Sequence, residues 1–251
     1  LIGALFLVFT DIEVLGMLLS DPLGALALGF GRAASSYSAL FRGAFGDPAN
    51  FSKALASGDV QLWARALRPI VESVVASVPL IFVGLGVSIA FRTGIFNIGG
   101  AGQFTMGAVG GAIAALVVGA GVVPAPIAIL LVMIFGLLGG ALWAFLPGLL
   151  KARVGASEVI TTIMLNAIAS QLIFFIVMNS EFIQQEQRLQ PVSKELSKYV
   201  DIPGILPIAA LRLDIAFPIA LLTAVAVSFF LFRSTRGFEL RTAGLNLAAA
   251  K

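Results

Sequence analysis

Long apolar runs set apart by short clusters of charge and turn residues dominate this chain. Leu1–Thr10 is apolar but shorter than the roughly 20 residues a membrane span needs, so it reads as the end of a first, partial span. Asp11–Arg68 carries acids and bases in balance. The turn signals Asp21-Pro22, Gly46-Asp47-Pro48 and Ser57-Gly58-Asp59 cut it into short pieces, some amphipathic. Such pieces are expected to lie on the membrane surface, with Trp63 near the headgroups. Between Arg68 and Arg92 only Glu72 is charged, which predicts a second span. Thr93–Leu150 contains no Asp, Glu, Lys or Arg and has room for two more, with the turn at Pro124 and Pro126 beside Gly119 and Gly121. Val159–Ser180 and Ile215–Phe232 are further spans, separated by the polar, proline-containing stretch Glu181–Asp214.

The distribution of lysine and arginine in the short loops orients these spans. Lys151–Arg153 and the tail carrying Arg233, Arg236 and Arg241 are net basic and belong in the cytoplasm, whereas Asp11–Arg68 and Glu181–Asp214 belong outside. Every intervening span then alternates without conflict. The expected fold is all-α, a polytopic transmembrane helix bundle in one domain over 1–251, cut at both ends. Within it, 1–10 is a partial span, 11–68 a periplasmic amphipathic segment, 69–232 the membrane spans and loops, and 233–251 a cytoplasmic segment.

One stretch departs from a plain span. Phe91–Gly107 reads F-R-T-G-I-F-N-I-G-G-A-G-Q-F-T-M-G, with Gly94, Gly99, Gly100 and Gly102 among the amides Asn97 and Gln103. This composition predicts a discontinuous helix near Gly94–Gly102. Irregular backbone at membrane depth persists only against protein or a watery cavity, and in transporters such breaks are where solutes bind. Asn97 and Gln103 are therefore candidate solute contacts, and Phe96 could stack on a ring or simply pack. A second polar feature lies downstream, where Glu158, Thr162, Asn166 and Ser170 recur along one face of a helix. Asn166 falls about 12 Å along that helix from Glu158, near the middle of a core about 30 Å thick. It is either an interhelical hydrogen-bonding group or a solute contact. Glu158, after the possible N-cap Ser157, is either a carboxylate favoured by the helix dipole or a functional member of this polar face. Gly107 with Gly111, and Gly136 with Gly140, have the spacing of close helix packing, within the bundle or between copies.

Composition narrows the chemistry. The 251 residues are 59% hydrophobic and 12% charged, about half the charge of a soluble domain. The net charge of +3 is spread over loops, which points away from nucleic acid. Cysteine and histidine are absent, so His-based triads and His- or Cys-ligated metal sites cannot be built from this chain. No cofactor and no metal are expected. A membrane-embedded enzyme would need a nucleophile with a base, paired acids or a metal at depth, and no Lys or Asp falls inside a span. There is also no G-x-x-x-x-G-K-[ST] loop to bind ATP.

Four blocks together resemble the permease subunits of bacterial ABC importers for nucleosides and simple sugars. They are F-R-T-G-I-F-N-I-G-G-A-G-Q at Phe91–Gln103, L-P-G-L-L-K-A-R at Leu146–Arg153, E-V-I-T-T-I-M-L-N at Glu158–Asn166, and G-F-E-L-R-T-A-G-L-N at Gly237–Asn246. The Glu158 block and the F-N-I-G core look most like the nucleoside branch. The resemblance implies a multi-pass protein of the bacterial inner membrane. Its partners would be an ATP-binding subunit, a second permease and a periplasmic substrate-binding lipoprotein, with membrane lipid around it. It also implies that Gly237–Asn246, with Glu239, Arg241, Gly244 and Asn246, begins the region that docks on the ATPase. The chain departs from the family at Ala101, where members often place Glu.

The leading expectation is transport of a nucleoside or sugar past Phe96, Asn97, Gln103 and Asn166, whose amides offer donors and acceptors without fixed charge. A branched-chain amino acid permease of related architecture is the rival within transport. A structural membrane subunit is the rival outside it.

Overall fold

The structure, a computed structural model, describes residues 2–118, 123–185, 192–205 and 211–245. Helices α1 (Ile2–Thr10), α2 (Ile12–Met17), α3 (Pro22–Phe45), α4 (Pro48–Ser57) and α5 (Val60–Arg92) come first. Then follow α6 (Gly100–Val118), α7 (Ala125–Val154), α8 (Glu158–Asn179), α9 (Ala216–Arg233) and α10 (Thr235–Leu245). Among the described residues the only β-pairing is an isolated bridge between Gln184 and Ser193. Among the described residues five helices, α5 to α9, are long and apolar enough to cross a membrane. The fold is the all-α polytopic bundle that the hydrophobic pattern predicts, with its break between α5 and α6. The chain divides into two compact units, Leu1–Ala76 with Gly204–Leu213, and Ser77–Pro203 with Asp214–Lys251.

In the first unit, helices begin at the turn signals. The Asp11 carboxylate accepts from the Glu13 and Val14 amides at 3.0 and 3.3 Å. Asp21 accepts from Gly24 at 3.0 Å and Asp47 from Ala49 at 2.9 Å. Each satisfies an amide that a helix start leaves unpaired, and Pro22 and Pro48 open their helices with φ already suited to them. Two lengths differ from expectation. α3 is one helix of 24 residues, because nothing between Pro22 and Phe45 removes a backbone donor. α5 starts at Val60, ahead of Arg68, where Asp59 accepts from the Gln61 amide at 2.8 Å. Ala25, Gly29 and Ala33 form a buried small-residue face on α3, and Ala25 and Ala33 pack with Val14 of α2. Arg32 on the same helix pairs with both Asp11 and Glu13.

The second unit is built on α6 and α7. Their glycines meet one another: a Cβ on Gly110 would lie 2.5 Å from the Phe135 carbonyl oxygen, and one on Gly139 2.6 Å from that of Met106. Gly107 and Gly140 are nearly as tight, at 3.0 Å from the Gly136 carbonyl oxygen and 3.1 Å from that of Gln103. The glycine spacing thus serves packing inside the bundle, bringing two backbones together where side chains would hold them apart. Away from this seam α7 carries large apolar side chains, with Leu137, Leu142 and Phe145 all exposed. Gly119–Val122 lie outside the described residues, but Pro124 stands at the N-cap of α7 as the turn signal suggests. A 3-10 turn at Lys198–Val200 closes over this end. Val200 packs with Ala115 and Ala128, and the Tyr199 hydroxyl donates to the Val123 carbonyl at 2.6 Å.

Candidate functional site

The break follows directly from its residues. α5 stops at Arg92, and Gly94 takes φ 77°, a conformation that L side chains rarely adopt. The Ile95 amide turns back to the Ala90 carbonyl at 3.0 Å. The Asn97 side chain then accepts from the Gly99 amide at 2.8 Å, an Asx-type turn that sets the chain up to re-enter helix at Gly100. Gln103, in the first turn of α6, donates its Nε2 to the same Asn97 oxygen at 3.2 Å. Asn97 Nδ2 and Gln103 Oε1 keep no protein partner among the described residues. These two side-chain groups, an amide nitrogen and a carbonyl oxygen, are therefore left at the break.

Asn166 reaches this backbone from α8. Its Oδ1 accepts from the Gly102 amide at 2.8 Å and its Nδ2 donates to the Ile98 carbonyl at 3.0 Å. One amide of the α6 first turn and one carbonyl freed by the break are thereby satisfied. Only glycine admits this approach: a Cβ on Gly102 would lie 2.9 Å from Asn166 Oδ1 and 3.0 Å from Trp143 Nε1. Trp143 Nε1 is the one buried side-chain polar atom without a partner among the described residues.

A cleft of about 350 Å³ opens beside the break, lined among others by Ile95, Asn97, Pro147, Lys151, Glu158 and Thr162. Lys151 Nζ donates to Glu158 Oε1 at 2.5 Å, and the Phe96 amide also donates toward this carboxylate. The two charges of the cleft thus neutralise each other. Thr162, 2% exposed, spends its hydroxyl on the Glu158 and Val159 carbonyls. Among the described residues no cluster of acids could hold a metal ion.

Of the four candidate solute contacts, Asn97 lines the cleft directly. Gln103 and Asn166 stand behind it, one holding the Asn97 side chain and the other the break backbone. The Phe96 ring is 58% exposed and lies 5.5 Å from that of Phe91. Ser157 occupies the N-cap position of α8, but its side chain makes no capping bond. What the sequence reading missed is the cleft-facing partner of Glu158. Gly155, at φ 67°, reverses the chain after α7 and brings Lys151 back onto it.

The segment after α9 divides by direction. Glu239 is exposed. Arg241 turns inward, its Nε donating to the Gly237 carbonyl at 3.4 Å and its guanidinium 5.2 Å from the centre of the Phe232 ring. Gly244 lies against the break, and Asn246 is outside the described residues. Ala101 is exposed in the first turn of α6, its carbonyl accepting from Thr105 Oγ1 at 2.9 Å.

Residues 70–251 match the family described as branched-chain amino acid transport system / permease component. The chain is 34% identical over 253 residues to the guanosine ABC transporter permease protein NupP of Bacillus subtilis (strain 168), covering 96% of this chain and 63% of that protein. It is 32% identical to the nucleoside ABC transporter permease protein NupB of Lactococcus lactis subsp. cremoris, covering 73% of this chain and 51% of the relative. The glucose ABC transporter permease protein TsgB13 of Haloferax volcanii is 31% identical, with coverage of 72% and 48%. The chain thus spans less than two thirds of the length of each of these relatives. No solved structure matches it.

Proposed function

This chain belongs to the permease-component family of branched-chain amino acid transport systems, and from that premise we propose that it is a transmembrane permease subunit of a bacterial ABC importer for a nucleoside or simple sugar. The observation that carries the proposal is the polar break, where Asn97 lines the cleft beside α7 and α8 and its amide nitrogen has no protein partner among the described residues. An amide suits a solute made of hydroxyls and base edges, since it can hydrogen-bond them with no fixed charge in lipid. Gln103 and Asn166 hold Asn97 and the break in place, and Phe96 stands at the side.

A branched-chain amino acid would bring a carboxylate and an ammonium to the same place. The cleft's own cation and anion are already paired with each other, so binding such a zwitterion would mean breaking Lys151 from Glu158. The pairing favours an uncharged solute, as do relatives named for guanosine, nucleoside and glucose.

In this reading the protein sits in the inner membrane with the α7–α8 turn and α10 toward the cytoplasm. An ATP-binding subunit meets the exposed face of α10 at Glu239, a second permease completes the pathway, and a periplasmic lipoprotein delivers the solute. ATP binding to the partner favours one of two permease states, which is how its energy reaches the solute. The test is uptake of labelled guanosine, ribose and leucine by vesicles holding the full complex. Guanosine or ribose should enter and Asn97→Leu should abolish that entry; uptake of leucine alone would overturn the reading.

A further inference from the structure

α10 is fastened at both ends. At its start, Ser234 Oγ accepts from the Gly237 amide at 3.0 Å and donates to the Phe230 carbonyl at 2.6 Å, which ties the helix to the end of α9. At its far end it lies backbone against backbone on the break. A Cβ on Gly244 would stand 2.5 Å from the Arg92 carbonyl oxygen and 2.8 Å from the Gly94 nitrogen. In return, a Cβ on Gly94 would stand 3.0 Å from the Gly244 carbonyl oxygen. Beside this contact the guanidinium groups of Arg92 and Arg241 both lie 5.2 Å from the centre of the Phe232 ring, so one aromatic side chain joins α5, α9 and α10. Gly94 is the left-handed residue that starts the break, and Asn97 follows it by less than one turn's length of chain.

We propose that Gly244, Gly94 and Phe232 with its two arginines are positioning residues that make α10 and the break move together. A rotation of α10 has no slack to absorb it at Gly244, because the next atoms are the backbone of Arg92–Gly94. The displacement passes to the segment whose other end carries Asn97, and changes how that side chain faces the cleft. Gly244 therefore acts inward on the break, not outward on an ATPase. The inference rests on the importer reading, in which a partner subunit biases the position of α10.

The test uses the full-length permease assembled with its ATPase, partner permease and binding protein in proteoliposomes. With any cysteine outside residues 1–251 replaced, Ile95→Cys reports on the cleft through its reaction with a polar thiol reagent, since residues 1–251 contain none. In the otherwise unsubstituted complex the labelling rate should change on adding ATP. Gly244→Ala, which forces α10 off the break, should leave ATP hydrolysis in place and remove the ATP dependence of labelling. It should also lower uptake by about tenfold, within the range that changes along a coupling element produce. Phe232→Leu loosens the same contact without a clash and should reduce solute moved per ATP by about threefold. Wild-type uptake and ATP-dependent labelling in Gly244→Ala would overturn the proposal. Should that variant fail to assemble, unchanged transport and labelling in Phe232→Leu would overturn it. Failure of the importer reading is separately visible as a parent complex that takes up neither guanosine nor ribose.

Discussion

Asn166→Ala removes one of the two α8 side chains that hold the backbone of the break, the other being Glu158 at the Phe96 amide. Two hydrogen bonds go, to the Gly102 amide at 2.8 Å and the Ile98 carbonyl at 3.0 Å. A buried group left without its partner costs about 1–3 kcal/mol, so two would cost about 2–6 kcal/mol if water were shut out. Two facts lower that range. The bond to Ile98 lies on an exposed surface and not beneath packed side chains, and hydrogen bonds between membrane helices average about 0.6 kcal/mol with a maximum near 1.7. The expected loss is about 1–3 kcal/mol, nearly all of it from the Gly102 amide, which is buried beneath α8. The assay is reversible unfolding of the purified permease in mixed micelles. Asn166→Asp serves as the partial variant, because a carboxylate still accepts from Gly102 but opposes the Ile98 carbonyl. It should fall between wild type and Asn166→Ala near neutral pH. The opposite pattern would refute the reasoning: unfolding within about 0.5 kcal/mol of wild type with a KM for solute raised about tenfold. Asn166 would then be a solute ligand and not the clamp of the break.

The glycine contacts and the charges of the first unit give two further expectations. Gly110→Ala would place a methyl 2.5 Å from the Phe135 carbonyl oxygen, where only backbone movement could relieve it; it should destabilise the protein by about 1–3 kcal/mol in the same assay, whereas Gly148→Ala, with open space around its Cβ, should not. The Arg32 guanidinium, hydrogen-bonded to Asp11, holds the Asp11 carboxyl below its ordinary 3.8. Its contribution to the packing of α2 on α3 should therefore be constant from neutrality down to the ordinary carboxylate range and be lost as pH falls below it. Hydrogen exchange of α2 amides would read this, and Asp11→Asn should abolish the dependence.

What could be read from residues alone was whatever depends on neighbours in sequence. Asp21, Asp47 and Gly58 mark helix ends because an acid accepts from amides, and a left-handed glycine donates to a carbonyl, about a turn away. Gly94 with Asn97 marks the break for the same reason. The glycine periods of α6 and α7 signalled close packing but were silent on the partner, which proved to be each other. Contacts spanning a long stretch of chain left no local trace. The Tyr199 hydroxyl on Val123, Asn166 on Ile98 and Gly244 on Gly94 join segments whose proximity arises only once the helices are assembled. Lys151 with Glu158 is the intermediate case: both residues stood in recognisable blocks, but only the left-handed Gly155 between them makes the pair.

In the proposed importer, the meeting of α6 and α7 also limits how solute can be passed along. Two helices whose main chains touch at successive turns have no flexible side chains between them to act as a lubricant. They must behave as one stiff plank, unable to slide or scissor. Whatever opens toward one side of the membrane and then the other must do so by swinging that plank whole or by yielding around its edges.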